Sequence, residues 1–353
     1  MGIVYTKDLL PGMVVASDII TLSNQLIIAA NTTLTDFLIE QLKTNSISEV
    51  NVVGPITSVP SGNESYSEKI THSKNFRVFK EKFSDNTEIL HGAMDDLLSD
   101  KPVDTNKLIA QTGDMIPARA TSIEIFDMIH NMRSYDDSTY AHCMNVALIC
   151  HVMAGWLHLS KEDSEVLVLA GLLHDIGKIG IPDEVIKKPG KLTPEEFNIM
   201  KSHSQKGFDI LKHQNLDERV KLTALQHHER CDGSGYPNGL SAVEITEFAK
   251  LVAIADVYDA MTSARVYRKG LCPFKVISIF EEEGLQKYDP QYILTFLERI
   301  GSSYMNNNVR LSDGQVGEVV MINRNNLSRP MIKIGDDYID LSKRLDVEIT
   351  EII

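Results

Sequence analysis

The sequence has no long hydrophobic run. Its longest apolar stretch, residues 166–173, ends at His174 and is less than half the roughly 18 residues that suggest a membrane-spanning helix. The first residues, MGIVYTKD, contain no basic segment followed by an apolar core, which a cleavable signal peptide would have. The sequence therefore predicts a cytoplasmic protein without a membrane span.

Cysteine and positive charge are both scarce. The four cysteines form no C-x-x-C pair and no zinc-knuckle spacing, which predicts free thiols in a reducing compartment. The chain has 35 Lys and Arg against 49 Asp and Glu, and its net charge of −14 disfavours DNA, RNA or anionic lipid as a partner. An anionic substrate would need a local source of positive charge.

The 353 residues, of which 43% are hydrophobic and 24% charged, are enough for two or three packed units. Short apolar runs predict a small α+β module over residues 1–56, and a segment rich in Ser, Pro and Gly opens a linker with connecting helices over 57–115. A predominantly helical pattern over 116–300 predicts the main domain. Short runs between turn residues predict a β-rich extension over 301–353. The predicted fold class is mainly α.

Several His and Asp residues stand at helix-associated positions in the main domain. His174 and Asp175 follow the apolar segment VLVLAGLL, and the paired His227 and His228 follow another helical segment. The remaining candidates are His142, His203 and Asp256. Imidazole and carboxylate groups are suitable ligands for iron, manganese or zinc. A single His-Asp pair is more often a polar helix end, so the indication of a metal site comes from the set.

Three segments carry a resemblance to a known family. HDIGKIGIP at 174–182, HHERCDGSGYPNGL at 227–240 and ADVYDAMTSARVYRKG at 255–270 resemble the HD-GYP family of cyclic dinucleotide phosphodiesterases, a subgroup of the HD-superfamily metal-dependent phosphohydrolases. The resemblance covers roughly residues 120–300 and uses several motifs in family order. It implies an HD-type helical bundle that hydrolyses cyclic di-GMP to linear pGpG, and it leaves open whether pGpG or GMP is the final product.

The resemblance also implies a metal centre with two divalent ions per chain, iron or manganese. One ion is expected on His142, His174, Asp175 and Asp256. The second is expected on Asp175, His203, His227 and His228, so that Asp175 bridges the ions and takes part in catalysis. Two such ions can lower the pKa of a shared water, and the bridging hydroxide would attack the phosphodiester. The centre would carry a net charge of roughly +1 despite the acidic chain.

Further residues are expected around the substrate by the same resemblance. Lys178 would contact the scissile phosphate and stabilise its developing charge, and Asp259 would orient a neighbouring group. The remaining expected substrate contacts are Gly235, Tyr236, Arg265 and Arg268.

The chain departs from the family pattern at two places. Ser138 stands where family members with three metals have a glutamate, which favours two metals, although Asp136 and Asp137 lie nearby. Ala264 and Val266 replace residues of the usual Asp-Arg-Pro-Tyr-Arg run, which predicts an altered lip of the substrate site and an unchanged metal centre.

Three other functions stay open on the sequence. Another cyclic dinucleotide such as 3′,3′-cyclic GMP-AMP would use the same residues. A non-catalytic binding scaffold is disfavoured by the intact set of ligands, and a di-iron oxygenase by the basic residues Lys178, Arg265 and Arg268. The N-terminal module has two open roles, which are regulation of access to the site and formation of a homodimer.

Overall fold

The structure is a computed structural model that describes residues 70–117, 120–132, 138–188, 190–263 and 270–353, together with short segments of the first 53 residues. The chain divides into two compact units, residues 1–64 and 65–353. The finer domain boundaries expected from the sequence remain predictions.

The described part of the first unit contains short strands, helical residues at positions 38, 39 and 42, and a small apolar core. The strands are β1 (Gly2–Tyr5), β2 (Val14–Val15), β3 (Ile19–Ile20), β4 (Leu26–Ile28) and β5 (Glu49–Val53). They form a three-stranded antiparallel sheet in the order β1-β5-β2 and a separate β3-β4 pair. Val15, Leu34 and Leu42 are almost fully buried in this core.

The second unit is mainly helical, as predicted. Its helices are α1 (Lys74–Leu98), α2 (Thr105–Asp114), α3 (Ser122–Met132), α4 (Thr139–Trp156), α5 (Lys161–Leu173), α6 (Asp183–Ile186), α7 (Pro194–Leu211), α8 (Glu218–Gln226), α9 (Glu247–Thr262), α10 (Pro273–Ile279), α11 (Leu285–Lys287) and α12 (Pro290–Ser303). A 3-10 helix covers Ile176–Gly180, and a π-helical turn covers Phe280–Gly284. None of the described helices is both long and apolar enough to cross a bilayer.

The long helices begin at residues that can cap them. Ser138 and Ser160 accept hydrogen bonds from the first turns of α4 and α5. Thr193 and Glu196 form a reciprocal capping box at the start of α7, where Pro194 needs no amide partner. These caps fix where α4, α5 and α7 begin and therefore which of their residues lie near one another.

Helices α4 and α5 form the buried centre of the bundle. Both are apolar on most sides, which is typical of a helix surrounded by others, and most of their residues are buried. Gly171 of α5 packs so closely that a Cβ there would lie 2.9 Å from Ala147 Cα. This close packing holds the end of α5 beside the start of α4, where His174 and His142 meet.

The C-terminal residues form a five-stranded antiparallel sheet, which agrees with the predicted β-rich extension. Its strands are β6 (Asn308–Leu311), β7 (Val316–Met321), β8 (Met331–Ile334), β9 (Asp337–Asp340) and β10 (Ile349–Ile352), in the order β10-β6-β7-β8-β9. Val309, Val319 and Ile332 are fully buried in the same hydrophobic cluster as Phe274 and Tyr304 of the helical part. The sheet is therefore packed onto the bundle through a shared core.

Candidate metal centre

Seven His and Asp side chains from separate helices come together in the bundle. They are His142 in the first turn of α4, His174 and Asp175 after α5, His203 in α7, His227 and His228 after α8, and Asp256 in α9. Two groups of them place possible ligand atoms within 4.8 Å of one another. The first group is His142, His174 and Asp175, and the second is Asp175, His203, His227 and His228.

Asp175 belongs to both groups because its two oxygens face different histidines. Its Oδ2 lies 3.4 Å from His174 Nε2 and 3.6 Å from His142 Nε2. Its Oδ1 lies 3.3 Å from His203 Nε2 and 3.7 Å from His227 Nε2. The carboxylate therefore stands between two sets of imidazoles, as a bridging ligand would.

Asp256 lies beside both groups. Its Oδ1 is 3.1 Å from His142 Nε2, and its Oδ2 is 3.8 Å from His228 Nδ1. On the other side of the ring, His142 Nδ1 is 2.8 Å from an oxygen of Asp259. This contact holds the His142 ring, and the role of Asp259 in orienting a metal ligand remains a prediction.

Three histidines direct Nε2 toward the centre, and this nitrogen carries a lone pair when the ring is neutral. The Nδ1 atoms of His174, His203 and His227 lie 2.7–3.1 Å from backbone carbonyls of their own helices. A carbonyl oxygen only accepts hydrogen bonds, so Nδ1 carries the proton in each neutral ring and Nε2 keeps its lone pair. This is the tautomer of a histidine that binds a metal through Nε2.

Burial keeps two of these rings neutral. It lowers the pKa of His203 to about 4 and also lowers the pKa of His227. Their Nε2 atoms nevertheless lie only 3.2 Å apart, so two lone pairs face each other. A cation between them would remove the repulsion.

Two buried polar atoms at the centre lack a hydrogen-bond partner among the described residues, His174 Nε2 and Asp175 Oδ1. Both residues are at most 1% exposed, and an unsatisfied buried polar group costs roughly 1–3 kcal/mol. A divalent cation in each group would satisfy both atoms, with His174 Nε2 in the first group and Asp175 Oδ1 in the second. The side chains present therefore fit a metal centre.

Lys178 lies at the edge of this cluster and contacts Asp175. Burial opposes its charge, but the carboxylates of Asp175 and Asp256 outweigh that effect and raise the pKa of Lys178. Its 3-10 helix packs directly on α7, since a Cβ at Gly177 would overlap the backbone of His203 and Gly207. The glycine thereby brings the lysine and His203 to the same centre.

The glycine-rich loop after His228 places Tyr236 over the centre. The Tyr236 ring lies 4.6 Å from the His228 ring, at an angle of 30°. Gly235 packs against its own chain, because a Cβ there would overlap Glu229 and Arg230. Contact of Gly235 and Tyr236 with a substrate remains a prediction.

Glu229 holds this loop and was missed in the sequence. Its carboxylate is 2% exposed and accepts hydrogen bonds from the backbone amides of Asn238, at 2.7 Å, and Leu240, at 2.9 Å. A charged residue directly between two paired histidines and a glycine-rich loop is the signal that could have found it.

Some predicted residues lie elsewhere or outside the described residues. Arg265 and Arg268, with Ala264 and Val266, lie outside them, as do Asp136 and Asp137. Ser138 accepts a hydrogen bond from the Ala141 amide at 3.2 Å as the cap of α4. Two metals in place of three remains a prediction.

The sequence of the helical unit matches a known family model. Residues 92–292, more than half of the chain, match the model described as HD domain. The chain belongs to the HD-domain family. The predicted resemblance is confirmed, because the HD domain has curated relatives that are cyclic dinucleotide phosphodiesterases. This chain is 37% identical over 204 residues to the cyclic di-GMP phosphodiesterase PA4108 of Pseudomonas aeruginosa. The match covers 58% of this chain and 49% of the relative.

A second relative has a different named substrate. The chain is 36% identical over 190 residues to the 3'3'-cGAMP-specific phosphodiesterase 2 of Vibrio cholerae, covering 52% of this chain and 36% of that protein. The matches thus span half or less of the length of these relatives.

A solved structure supports the fold. Bd1817, a HDG"Y"P protein from Bdellovibrio bacteriovorus, superimposes with a TM-score of 0.50 over 85% of this chain and 99% of that chain, at 14% identity. The predicted HD-type helical fold is confirmed.

Proposed function

We propose that this HD domain is a metal-dependent phosphodiesterase that hydrolyses cyclic di-GMP to linear pGpG, with GMP as the product of a second cleavage. The observation that carries the proposal is the position of Asp175, whose two oxygens face two separate groups of histidines. That arrangement is what a pair of cations acting on one phosphodiester requires.

The proposed ligands of the first cation are His142, His174, Asp175 and Asp256. Those of the second are Asp175, His203, His227 and His228. Divalent cations held there would polarise the phosphate and lower the pKa of a water molecule. Histidine and carboxylate ligands without thiolate suit iron or manganese, and we propose one of these metals.

The protein's own groups have separate tasks in this proposal. Lys178 carries positive charge next to Asp175 and would stabilise the negative charge that develops on the phosphate. Asp259 keeps the His142 ring in place through Nδ1. Glu229 holds the loop of Tyr236, whose ring packs on the His228 ring.

The substrate class is proposed to be cyclic dinucleotides. Hydrolysis of 3′,3′-cyclic GMP-AMP is the second candidate, because a relative of similar identity is named for it. A DNA or RNA polymer is disfavoured by the net charge of −14. We also propose a cytoplasmic protein, since all four cysteines are free thiols.

The test is product analysis with counted metals. The protein is purified without oxygen, loaded with Fe(II) or Mn(II), and incubated with each cyclic dinucleotide. We expect two metals per chain and formation of the linear dinucleotide. Asp175→Asn should lose both metals and turnover, whereas Asp209→Asn, an exposed carboxylate that pairs with Lys212, should behave as wild type. Absence of hydrolysis by the protein with two metals, or full activity of Asp175→Asn, would refute the proposal.

A further inference from the structure

A large aromatic side chain is exposed beside the candidate metal centre. Phe197 lies on α7, the helix that carries His203, and is 45% exposed. Its ring is 6.3 Å from the Tyr236 ring, at an angle of 78°, and Tyr236 lies over His228. An aromatic surface therefore leads from the candidate ligands outward to solvent.

A lysine accompanies this surface. Lys201 follows Phe197 by one helical turn, and its Nζ lies 4.7 Å from the centre of the Phe197 ring and 5.6 Å from that of Tyr236. Other lysines near the ends of α7 have carboxylate partners, such as Lys212 with Asp209. Among the described residues, no carboxylate lies within ion-pair distance of Lys201. Its charge is therefore available to an anion at the same rim.

We propose that Phe197 and Lys201 form an outer subsite for one nucleotide of the substrate. Phe197 stacks on a purine base, and Lys201 faces the phosphate that is not cleaved. The inference rests on the proposed function, because the cleaved phosphate must lie at the neighbouring metal centre. An aromatic face next to a cation is how proteins commonly hold unpaired nucleotides.

The subsite has a defined selectivity. Every base has a π-face, so stacking on an aromatic ring tolerates different bases. The Phe197 subsite therefore accepts guanine and adenine alike. Discrimination between cyclic di-GMP and cyclic GMP-AMP must come from other residues.

Stacking can be read directly with an introduced fluorophore. The chain has one tryptophan, Trp156, which packs on Phe126 with ring centres 5.8 Å apart. In Phe197→Trp, mixing the manganese-loaded protein with cyclic di-GMP in a stopped-flow instrument should quench the new emission before hydrolysis. Ile199→Trp is the matched control, because Ile199 is 41% exposed and two residues along the helix, which places it on the other side. Its emission should not change.

Steady-state kinetics test the contributions of Phe197 and Lys201 to substrate binding. Phe197→Ala should raise KM for both cyclic dinucleotides by roughly 5- to 150-fold, since base stacking contributes about 1–3 kcal/mol by alanine substitution. Its kcat should change less, because stacking is present in both the ground state and the transition state. Lys201→Gln should also raise KM. Ile199→Ala should match wild type, and metal content should stay at the wild-type level in all of these variants.

The outcomes distinguish this inference from the function on which it rests. If wild type hydrolyses a cyclic dinucleotide but Phe197→Ala keeps the wild-type KM, or Phe197→Trp is not quenched, the subsite is refuted and the function stands. If Phe197→Ala loses its metals or melts at a lower temperature and Phe197→Trp does not restore them, Phe197 is structural and the subsite is again refuted. If wild type neither binds nor hydrolyses either dinucleotide, function and subsite fail together.

Discussion

Lys178 is the cation proposed to stabilise the negative charge that develops on the phosphate. It is held as a cation against Asp175. We expect Lys178→Ala to keep its metals but to lower kcat for cyclic di-GMP by roughly 10²- to 10³-fold, the usual cost of removing one fixed group that stabilises developing charge. Elemental analysis and steady-state kinetics on one preparation measure both quantities.

Lys187 provides the control for this substitution. Its side chain is 72% exposed and pairs with Asp183, and exposed ion pairs contribute roughly 0–1 kcal/mol. Lys187→Ala should therefore keep the wild-type kcat. Loss of metals in Lys178→Ala, or an unchanged kcat, would contradict the assigned role.

Metal loading should depend on pH through His142. Burial opposes protonation of this ring, but its hydrogen bonds with Asp256 and Asp259 raise the pKa of His142 to about 9 in the protein without metal. Below that pH a cation must displace a proton from Nε2, so apparent metal affinity should rise as the pH increases from neutral toward about 9.

Calorimetry in two buffers of different ionisation enthalpy measures this proton release. Protons should leave on binding at neutral pH and fewer should leave near the His142 pKa. The exposed His213 serves as control, and His213→Asn should leave the count unchanged. Uptake of protons, or no exchange at all, would show that His142 is not a ligand.

The contact between the 3-10 helix Ile176–Gly180 and α7 depends on Gly177. An added methyl group there would overlap the backbone of His203 and Gly207, and overpacking typically costs about 1–3 kcal/mol. Gly177→Ala should lower the free energy of unfolding by that amount and reduce metal content, because His203 and Lys178 are both displaced. Urea unfolding and elemental analysis test this.

Gly92 of α1, unlike Gly177, has space for a side chain. It has no neighbouring atom within 4 Å of an added Cβ, so Gly92→Ala should stabilise the protein by up to about 1 kcal/mol through helix propensity. Equal effects of the two substitutions would mean that the close approach at Gly177 has no energetic importance.

The loop that carries Tyr236 depends on Glu229. In Glu229→Gln, one of the two backbone amides that the buried carboxylate binds would face an amide group that donates. We expect a loss of about 1–3 kcal/mol in the free energy of unfolding and a higher KM at unchanged metal content. Unfolding curves and kinetics on the same preparation measure these effects.

Glu244 is the matched control for Glu229. It is exposed and also accepts a hydrogen bond from a backbone amide, that of Ser241, at 2.9 Å. Surface substitutions usually change stability by no more than about 0.5 kcal/mol, so Glu244→Gln should have little effect. A similar loss in both variants would contradict a specific bracing role for Glu229.

The candidate metal ligands could be named from the sequence, whereas the residues that position the surrounding helices and loop could not. Residues such as His174 and Asp175 are recognisable because metal binding demands particular side chains in a particular order. The role of Glu229 depends on a loop folding back to it, and that of Gly177 on how closely one helix approaches another. Both are tertiary relations that short-range patterns do not contain. The assignment of each side chain to a metal remains a prediction.

The mainly helical class and the C-terminal sheet were also predictable, because periodicity and turn residues report local structure. The sequence did not show which residues join the sheet to the helices within one compact unit. Val309 and Val319 are buried with Phe274 and Tyr304, and burial shared between segments cannot be read from either segment alone.

The core shared by the C-terminal sheet and the helical bundle predicts how truncated chains will fold. Without residues 308–353, the bundle would expose large apolar side chains, each stabilised by roughly 1.5–3 kcal/mol when buried. That variant should aggregate or lose cooperative unfolding. Residues 65–353 should fold without residues 1–64, since the two units have separate buried clusters.

Circular dichroism with thermal unfolding compares the two truncations. A variant without residues 308–353 that melts within a few degrees of the full chain would show that the sheet is dispensable for the bundle. Failure of residues 65–353 to fold would show that the first unit contributes to the stability of the second.

Asp175 offers one oxygen to each group of histidines. If each group holds a cation, then filling one position fixes the carboxylate and neutralises part of the charge on which the other position relies. The two affinities are then thermodynamically coupled, and the coupling is reciprocal. Occupancy of the two cation positions would therefore be cooperative. A substitution in either group of histidines would change the metal affinity of both positions.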